Sequence, residues 1–134
     1  MTTLEDIYHR VSTTLVESLN VDEADIKPTS TLQRDLGAES IDLLDILFRL
    51  EQEFDIEIPR GELFPEALFE KNPDLVQDGQ LTARGLKELA RRMPFADLTR
   101  IANNPEFGRL SDLFTVDLLA RYVQAKVAGT FAAT

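Results

Sequence analysis

The sequence lacks the residues on which several kinds of site depend. It contains no cysteine and no tryptophan, and its single histidine is His9. The absence of cysteine excludes disulfides and thiolate-bound metals. A serine–histidine catalytic pair would have to use His9, and nothing in the sequence ties that residue to a second orienting group. We therefore interpret His9 as a solvated helix residue, and we expect no self-sufficient active site and no metal site.

Long apolar runs and positive charge are also scarce. No uninterrupted apolar stretch approaches membrane-spanning length, and the N-terminus lacks the basic region and apolar run of a secretion signal. The 14 Lys and Arg residues are outnumbered by 24 Asp and Glu residues, so the formal net charge is -10. Such a surface repels nucleic-acid phosphates and anionic membranes and favours basic protein partners. We expect a cytoplasmic monomer that neither enters a membrane nor binds nucleic acid.

The apolar pattern along the 134 residues predicts one all-α domain. A first helix over residues 3–19 follows from apolar residues three and four apart, and Thr2-Thr3-Leu4-Glu5 resembles a capping box at its start. The connection over residues 20–39 is expected to pack by its spaced aliphatic residues, which are Val21, Ile26, Leu32 and Leu36. A second helix is expected from Ser40 to about Phe54. Further helices are expected near residues 60–70, from Thr82 to Met93, near residues 95–103, and from Thr115 onwards.

The most informative stretch is residues 35–42, Asp-Leu-Gly-Ala-Glu-Ser-Ile-Asp. Gly37 permits positive φ, Ser40 is a preferred N-cap residue, and Asp42 places negative charge in the first helical turn. These features predict a tight glycine turn that leads into a helix capped by Ser40. Since a serine at a helix start can be a cap and nothing more, a functional interpretation needs support from the rest of the sequence.

The predicted second helix has too many apolar residues for one face. One arc forms a sufficient core stripe, made of Leu43, Ile46, Leu47, Leu50 and Phe54. Ile41 and Phe48 fall on a different arc, flanked by Asp45, Glu51 and Gln52. An apolar pair within a charged rim is typical of a small docking surface for a basic partner. The periodicity also allows this pair to pack under the long connection or under a later segment.

Residues 66–109 carry as many basic as acidic residues, so the whole negative excess lies outside them. Such a segment is typical of an addition to an acidic scaffold. Its helix from Thr82 to Met93 has an apolar side, expected to pack on the rest of the bundle, formed by Leu86, Leu89, Ala90 and Met93. The opposite, basic face is expected to stay accessible, and it consists of Arg84, Lys87, Arg91 and Arg92. It is either a solubilising surface or an attraction for the acidic second helix or for a partner.

Residues 35–42, the helix end Glu51-Gln52-Glu53-Phe54, the segment Ile56-Glu57-Ile58-Pro59 and the later Thr115-Val116 together resemble the acyl carrier protein family. The resemblance covers about residues 2–64 and 111–127. It implies a single carrier domain with a four-helix bundle, into which a helical insert of about residues 65–110 has been added. It also implies a non-catalytic protein whose 4'-phosphopantetheine is attached covalently to Ser40, the position that matches the family's modified serine.

The resemblance further implies a partner-docking surface around that serine, made of Glu39, Ile41, Asp42, Asp45, Phe48, Glu51 and Gln52. Its partners would be a phosphopantetheinyl transferase and acyl-loading ligase, ketosynthase or acyltransferase enzymes. The family most often has Asp before the serine, where it assists the metal ion during transfer, and this chain has Glu39. The carboxylate is kept, one methylene longer, which bears on the choice of transferase.

The leading hypothesis is therefore an acyl carrier that holds acyl groups as thioesters in a specialised lipid, fatty-acid or secondary-metabolite pathway. One alternative is a carrier-like helical module that is never modified and binds a basic protein partner. Another is an aminoacyl or peptidyl carrier, which keeps the same serine chemistry and changes the cargo. Residues alone do not separate these three.

Overall fold

The computed structural model describes residues 3–59, 63, 69, 71–93, 98–106 and 112–129. These residues are mostly helical, as predicted, with one short antiparallel hairpin. The elements in chain order are α1 (Leu4–Leu19), a 3₁₀ turn (Glu23–Asp25), α2 (Ser40–Phe54), β1 (Val76–Gln77), β2 (Gln80–Leu81), α3 (Ala83–Arg92), α4 (Thr99–Asn103) and α5 (Val116–Ala128). The helix predicted near residues 60–70 lies almost wholly outside the described residues.

The chain divides into two compact units. Of the described residues, the first unit comprises 3–57 and 114–129, and the second comprises those within 58–113. The first unit therefore contains α1, α2 and α5, and the second contains the hairpin, α3 and α4. The prediction of one carrier domain with an insert over about residues 65–110 stays a prediction.

Helix α1 begins one residue later than the predicted capping box requires. Its N-cap is Thr3, whose Oγ1 accepts a hydrogen bond from the Asp6 N–H at 3.1 Å. The predicted box over residues 2–5 is therefore wrong by one position, because Thr3 is the extended residue (φ -87°, ψ 163°) next to the first helical turn. The helix ends at Asn20 in the left-handed conformation, with φ 56°.

The first unit has α1 packed against both α2 and α5. The apolar stripe of α1 is buried, with Ile7 at 1% and Val11 and Leu15 at 0% exposure. Side chains at the far end of α2 also fasten the two helices. The Arg10 guanidinium lies 4.3 Å from the centroid of the Phe54 ring, and its Nε donates to Glu53 Oε1 at 2.9 Å. The α1–α2 pair is thus held by apolar burial and by one cation–π and charge-assisted contact.

The core stripe predicted for α2 is correct in its centre and half-buried at its edges. Ile46 and Leu50 are fully buried, whereas Leu43, Leu47 and Phe54 keep partial exposure. Of five apolar residues at helical spacing in α5, four are fully buried, namely Val116, Leu119, Tyr122 and Val123. The fifth, Val127, is 42% exposed because it lies in the last turn of the helix.

The second unit contains a short hairpin that the apolar spacing of the sequence did not predict. Asp78 and Gly79 both have positive φ, 53° and 76°, the geometry of a two-residue turn that matches strand twist. This turn places Val76 opposite Leu81. The residue that follows, Thr82, caps α3 as predicted by accepting from the Gly85 N–H at 3.0 Å.

Gly85 is explained by a close backbone approach. A Cβ at this position would overlap the carbonyl oxygen of Leu75, and Thr82 N–H donates to that same oxygen at 2.9 Å. Glycine is a weak helix former, but only a residue without a Cβ lets α3 approach the Leu75 carbonyl, just before β1, this closely. Leu89 and Met93 on the apolar side are fully buried and Leu86 is half-buried. Ala90 is exposed, so its assignment to this side was wrong.

Candidate functional site

The loop that leads into α2 is closed by its own hydrogen bonds. Asp35 Oδ2 accepts from the Thr31 N–H at 2.8 Å, and the Thr31 Oγ1 accepts from the Asp35 N–H at 3.1 Å. Ala38 N–H then donates to the Leu32 carbonyl at 2.8 Å. Gly37 has φ 74°, which confirms the predicted glycine turn. The course of the backbone towards residue 40 is therefore fixed locally.

The same loop is also fastened to the beginning of α5. Leu32 N–H donates to the Phe114 carbonyl at 3.0 Å, and Val116 N–H donates to the Ser30 carbonyl at 3.0 Å. Thr31 and Thr115 form an antiparallel bridge between these two bonds. The predicted packing of the loop is confirmed, because Leu32 is fully buried and Ile26 and Leu36 are buried too. Val21, the fourth aliphatic residue of the connection, is half-buried.

The start of α2 differs from the prediction in one position. Ser40 is the first helical residue, and the N-cap is Glu39, with an extended backbone (φ -99°, ψ 173°). Glu39 and Asp42 form a capping box, in which the Asp42 Oδ2 accepts from the Glu39 N–H at 2.9 Å. The prediction that Ser40 is the cap is therefore wrong, because the extended backbone ends at Glu39. The capping role belongs to a carboxylate, so capping does not explain the serine.

The surroundings of this helix start fit a phosphodiester attachment. The first backbone N–H groups of a helix and its dipole favour a phosphate group. Glu39 is exposed and Ile41 is 72% exposed, so the residues on both sides of Ser40 can be reached by an enzyme. A Cβ built on Gly37 would meet no atom within 4 Å, which shows open space beside the turn.

Three large apolar side chains follow along the exposed side of α2. Ile41 is 72% exposed, Leu44 is 60% exposed and Phe48 is 57% exposed. We call these three residues the apolar triad. Ile41 and Phe48 were predicted to share an arc, and their exposure shows that neither is a core residue. Leu44 was missed, although its spacing of three and four residues from the other two was available in the sequence.

The rim of charged and polar side chains around the triad is less uniform than predicted. Glu39 and Gln52 are exposed, and Glu51 and Asp42 are half-buried. Asp45 has hydrogen-bond partners of its own within the protein, since its Oδ2 accepts from Ser18 Oγ at 2.7 Å and from Arg49 Nε at 2.8 Å. The hydrogen bond from Ser18, and then the one from Arg49, hold the pKa of Asp45 below its ordinary value.

The basic face predicted for the later helix lies on α3. Arg84, Lys87 and Arg91 are exposed, as expected, whereas Arg92 is half-buried. Carboxylates of the same unit neutralise part of this charge. Arg84 lies 3.6 Å from Asp74, and Arg92 Nε donates to Glu88 Oε1 at 2.9 Å. Hydrogen bonds from Arg91 first, and then from Arg92, lower the pKa of Glu88 to about 2.

His9 is highly exposed, with its Nδ1 3.7 Å from Glu23 Oε1, which agrees with its interpretation as a solvated helix residue. Among the described residues, no helix has both the length and the apolar character needed to cross a membrane. The chemistry that the described part of the chain offers is therefore a helix start suited to a phosphate, followed by an exposed apolar surface.

Comparison with known families identifies this arrangement. Residues 9–71, which contain most of α1, the loop, α2 and Ser40, match the family model described as the phosphopantetheine attachment site. The matched segment supports a phosphopantetheine-dependent carrier protein family. Its domain is the attachment site of the 4'-phosphopantetheine prosthetic group, as the resemblance implied.

Proposed function

We propose that Ser40 carries the 4'-phosphopantetheine arm and that the protein holds acyl intermediates on it as thioesters in a specialised lipid or secondary-metabolite pathway. The observation that carries this proposal is the position of Ser40 as the first residue of α2, within the segment that matches the attachment family. The arm supplies a thiol that this chain, which has no cysteine, does not possess. In this proposal the protein is not an enzyme, and it works in the cytoplasm.

The residues around Ser40 have distinct roles in the proposal. The backbone N–H groups of the first turn of α2 stabilise the negative charge of the phosphodiester. The capping box between Glu39 and Asp42 satisfies helix-end groups that would otherwise need the serine. The closed loop over residues 31–38 keeps the helix start at a fixed position for the transferase.

The α2 surface is the proposed docking site for the enzymes that act on the arm. Its anchors are the apolar triad, and its polar rim consists of Glu39, Asp42, Glu51 and Gln52. The support for this assignment is continuity, because the triad begins one residue after the proposed attachment point. The partners are a phosphopantetheinyl transferase and acyl-loading ligase, ketosynthase or acyltransferase enzymes. The proposed insert over about residues 65–110 adapts the carrier to particular partners, through the basic face of α3.

The test is co-expression with a broad-range phosphopantetheinyl transferase, followed by intact-mass measurement. We expect the wild type to gain one arm and Ser40→Ala to gain none. Thr13→Ala is the matched control, because it removes an exposed hydroxyl from the middle of α1 and should leave the mass gain in place. A wild type that gains no mass would show that the attachment proposal is wrong.

Glu39 favours a second candidate function, an unmodified carrier-like module that binds a basic protein. Its carboxylate replaces the family's usual Asp and belongs to the capping box. If this candidate is correct, protein isolated from its native cell is unmodified, and Glu39→Asp restores modification by a transferase that ignores the wild type. An aminoacyl or peptidyl carrier would instead be modified normally and would differ only in which ligase loads it.

A further inference from the structure

One oxygen of the Asp45 carboxylate accepts two hydrogen bonds from within the protein. A single oxygen, Oδ2, accepts from Ser18 Oγ of α1 at 2.7 Å and from Arg49 Nε of α2 at 2.8 Å. The contact with Arg49 joins residues four apart on one helix, and it is charge-assisted. The bond from Ser18 fixes the carboxylate from the neighbouring helix. Asp45 is therefore held in place by donors on two sides.

Arg49 has a second acidic neighbour. Its Nη1 lies 3.4 Å from Glu17 Oε2 of α1, so one guanidinium lies between two carboxylates. The side chains of Arg49 and Asp45 are 40% and 44% exposed, so the pair borders the surface without being buried. We call Glu17, Asp45 and Arg49 the ionic group. It carries one excess negative charge, and the charge of Asp45 itself is balanced locally.

The ionic group borders the apolar triad along α2. Asp45 follows Leu44 directly, and Arg49 follows Phe48 directly. A protein that approaches this side of α2 therefore meets a large exposed apolar area beside a carboxylate that already has two donors. A new ionic contact to Asp45 would have to use the other oxygen, Oδ1, of a carboxylate whose charge Arg49 already balances, so its net gain is small. Burial of the triad has no such internal competitor.

We propose that Arg49 is an internal counter-ion that withholds Asp45 from partner recognition, so that enzymes dock on the apolar triad and not on an ionic contact with Asp45. The partner that fits has an apolar recess opposite the triad and does not depend on a basic residue opposite Asp45. This inference rests on the proposed function, since it concerns the enzymes that act on the arm. Arg49 is a positioning residue in it, because it acts through Asp45.

The test is the KM of a broad-range phosphopantetheinyl transferase for the full-length apo-protein, measured on a series of charge variants. Arg49→Gln adds one negative charge to the ionic group, Asp45→Asn removes one, and the double variant keeps the wild-type charge. We expect Arg49→Gln to lower KM and Asp45→Asn to raise it, each by about two- to fivefold, the effect of one exposed charge. The double variant should stay within about twofold of the wild type, and kcat should not change.

The double variant distinguishes a direct contact between Asp45 and the transferase from the counter-ion role of Arg49. If Asp45 contacts the transferase directly, the double variant loses that contact and its KM rises as much as that of Asp45→Asn, which overturns the proposal. Arg49→Lys serves as the conservative control and should keep the wild-type KM. The KM of Arg49→Gln should also depend more steeply on salt, because its freed carboxylate then contributes to attraction.

A titration of the Asp45 carboxyl carbon by NMR tests the ion pair without any modification reaction. In the wild type this carboxyl should titrate below its ordinary range, and Arg49→Gln should move the titration upwards. An identical titration in both proteins would overturn the counter-ion role. If the wild type accepts no arm, the proposed function fails, and the titration still decides whether Arg49 and Asp45 form the pair.

Discussion

Helices α2 and α3 expose different kinds of side chain to solvent. Helix α3 exposes Arg84, Lys87 and Arg91 and buries Leu89, which is the ordinary division for an amphipathic surface helix. Helix α2 also buries a stripe but leaves Ile41 and Phe48 largely exposed. A surface helix gains nothing in its own unit from exposed apolar side chains of this size. The comparison teaches that α2 presents an apolar surface suited to a second contact, whereas α3 presents a charged surface to solvent.

The sharpest check of this comparison is to shorten one buried and one exposed leucine of α2. Leu50 is fully buried, and Leu50→Ala should lower the free energy of unfolding by about 2–5 kcal/mol through lost burial and a cavity. Leu44→Ala, the matched exposed variant, should change it by less than about 0.5 kcal/mol. Denaturant unfolding measures both. Equal losses would mean that Leu44 is a core residue and that the apolar triad is not a free surface.

A second check concerns the close contact between Gly85 of α3 and the Leu75 carbonyl. Gly85→Ala improves helix propensity but drives a methyl group into the Leu75 carbonyl, so we expect a net loss of about 1–3 kcal/mol in unfolding free energy. Ala83→Gly at the first position of the same helix is the comparison variant, expected to cost at most about 1 kcal/mol. A stabilised Gly85→Ala protein would show that the Leu75 carbonyl does not constrain this helix.

A third check measures the function of the two exposed sides separately. Phe48→Ala should raise the transferase KM about tenfold, the value of one apolar anchor, with unchanged unfolding free energy. The paired variant Arg84→Gln/Lys87→Gln removes two exposed charges from α3 and should change that KM by no more than about twofold. A larger rise in KM for the α3 variant than for Phe48→Ala would mean that this enzyme docks on α3 and not on α2.

The smallest expected effect is the pH dependence of the α3 charges. The pKa of Glu88 is lowered to about 2 by Arg91 and then Arg92. A carboxyl with a lowered folded-state pKa stabilises the protein above its unfolded pKa and loses that contribution as the pH falls through the folded value. The unfolding free energy of the wild type should therefore drop between about pH 4.5 and pH 2. Glu88→Gln should show a smaller drop, by about 1 kcal/mol or less for such a surface group.

Much of the fold follows from spacing and end signals alone. Periodic apolar residues predict α1, α2, α3 and α5 with nearly correct starts, because each helix has an apolar stripe at helical spacing and a Thr or an acid at its start. The hairpin at Val76–Leu81 was not predicted, since strands of two residues are too short to show alternation. Only its Asp78-Gly79 turn was visible.

The proposed site was less predictable in its details than in its place. The sequence led to Ser40 but made it the cap, because serine at a helix start is a stronger cap signal than the glutamate before it. The sequence pattern also assigned Asp45 to the charged rim of the docking surface. The hydrogen bond that Asp45 accepts from Ser18 joins two different helices, so it cannot be predicted from the pattern of either helix alone. The pairing of Asp45 with Arg49 was readable from their spacing and was overlooked.

The hydrogen bonds between residues 28–32 and 114–117 have a consequence for the order of folding. The carbonyls of Pro28 and Ser30 accept hydrogen bonds from the N–H groups of Asp117 and Val116, so the loop before Ser40 is tied to α5 only after residues 114–117 have been synthesised. Contacts between such distant parts of a sequence form late, after the local helices. A nascent chain that has not yet reached residue 114 can form α2 and the loop's own hydrogen bonds, but not the bonds between the loop and the start of α5. Recognition that depends on the bonds between this loop and α5 therefore selects chains that have passed residue 117 over shorter ones.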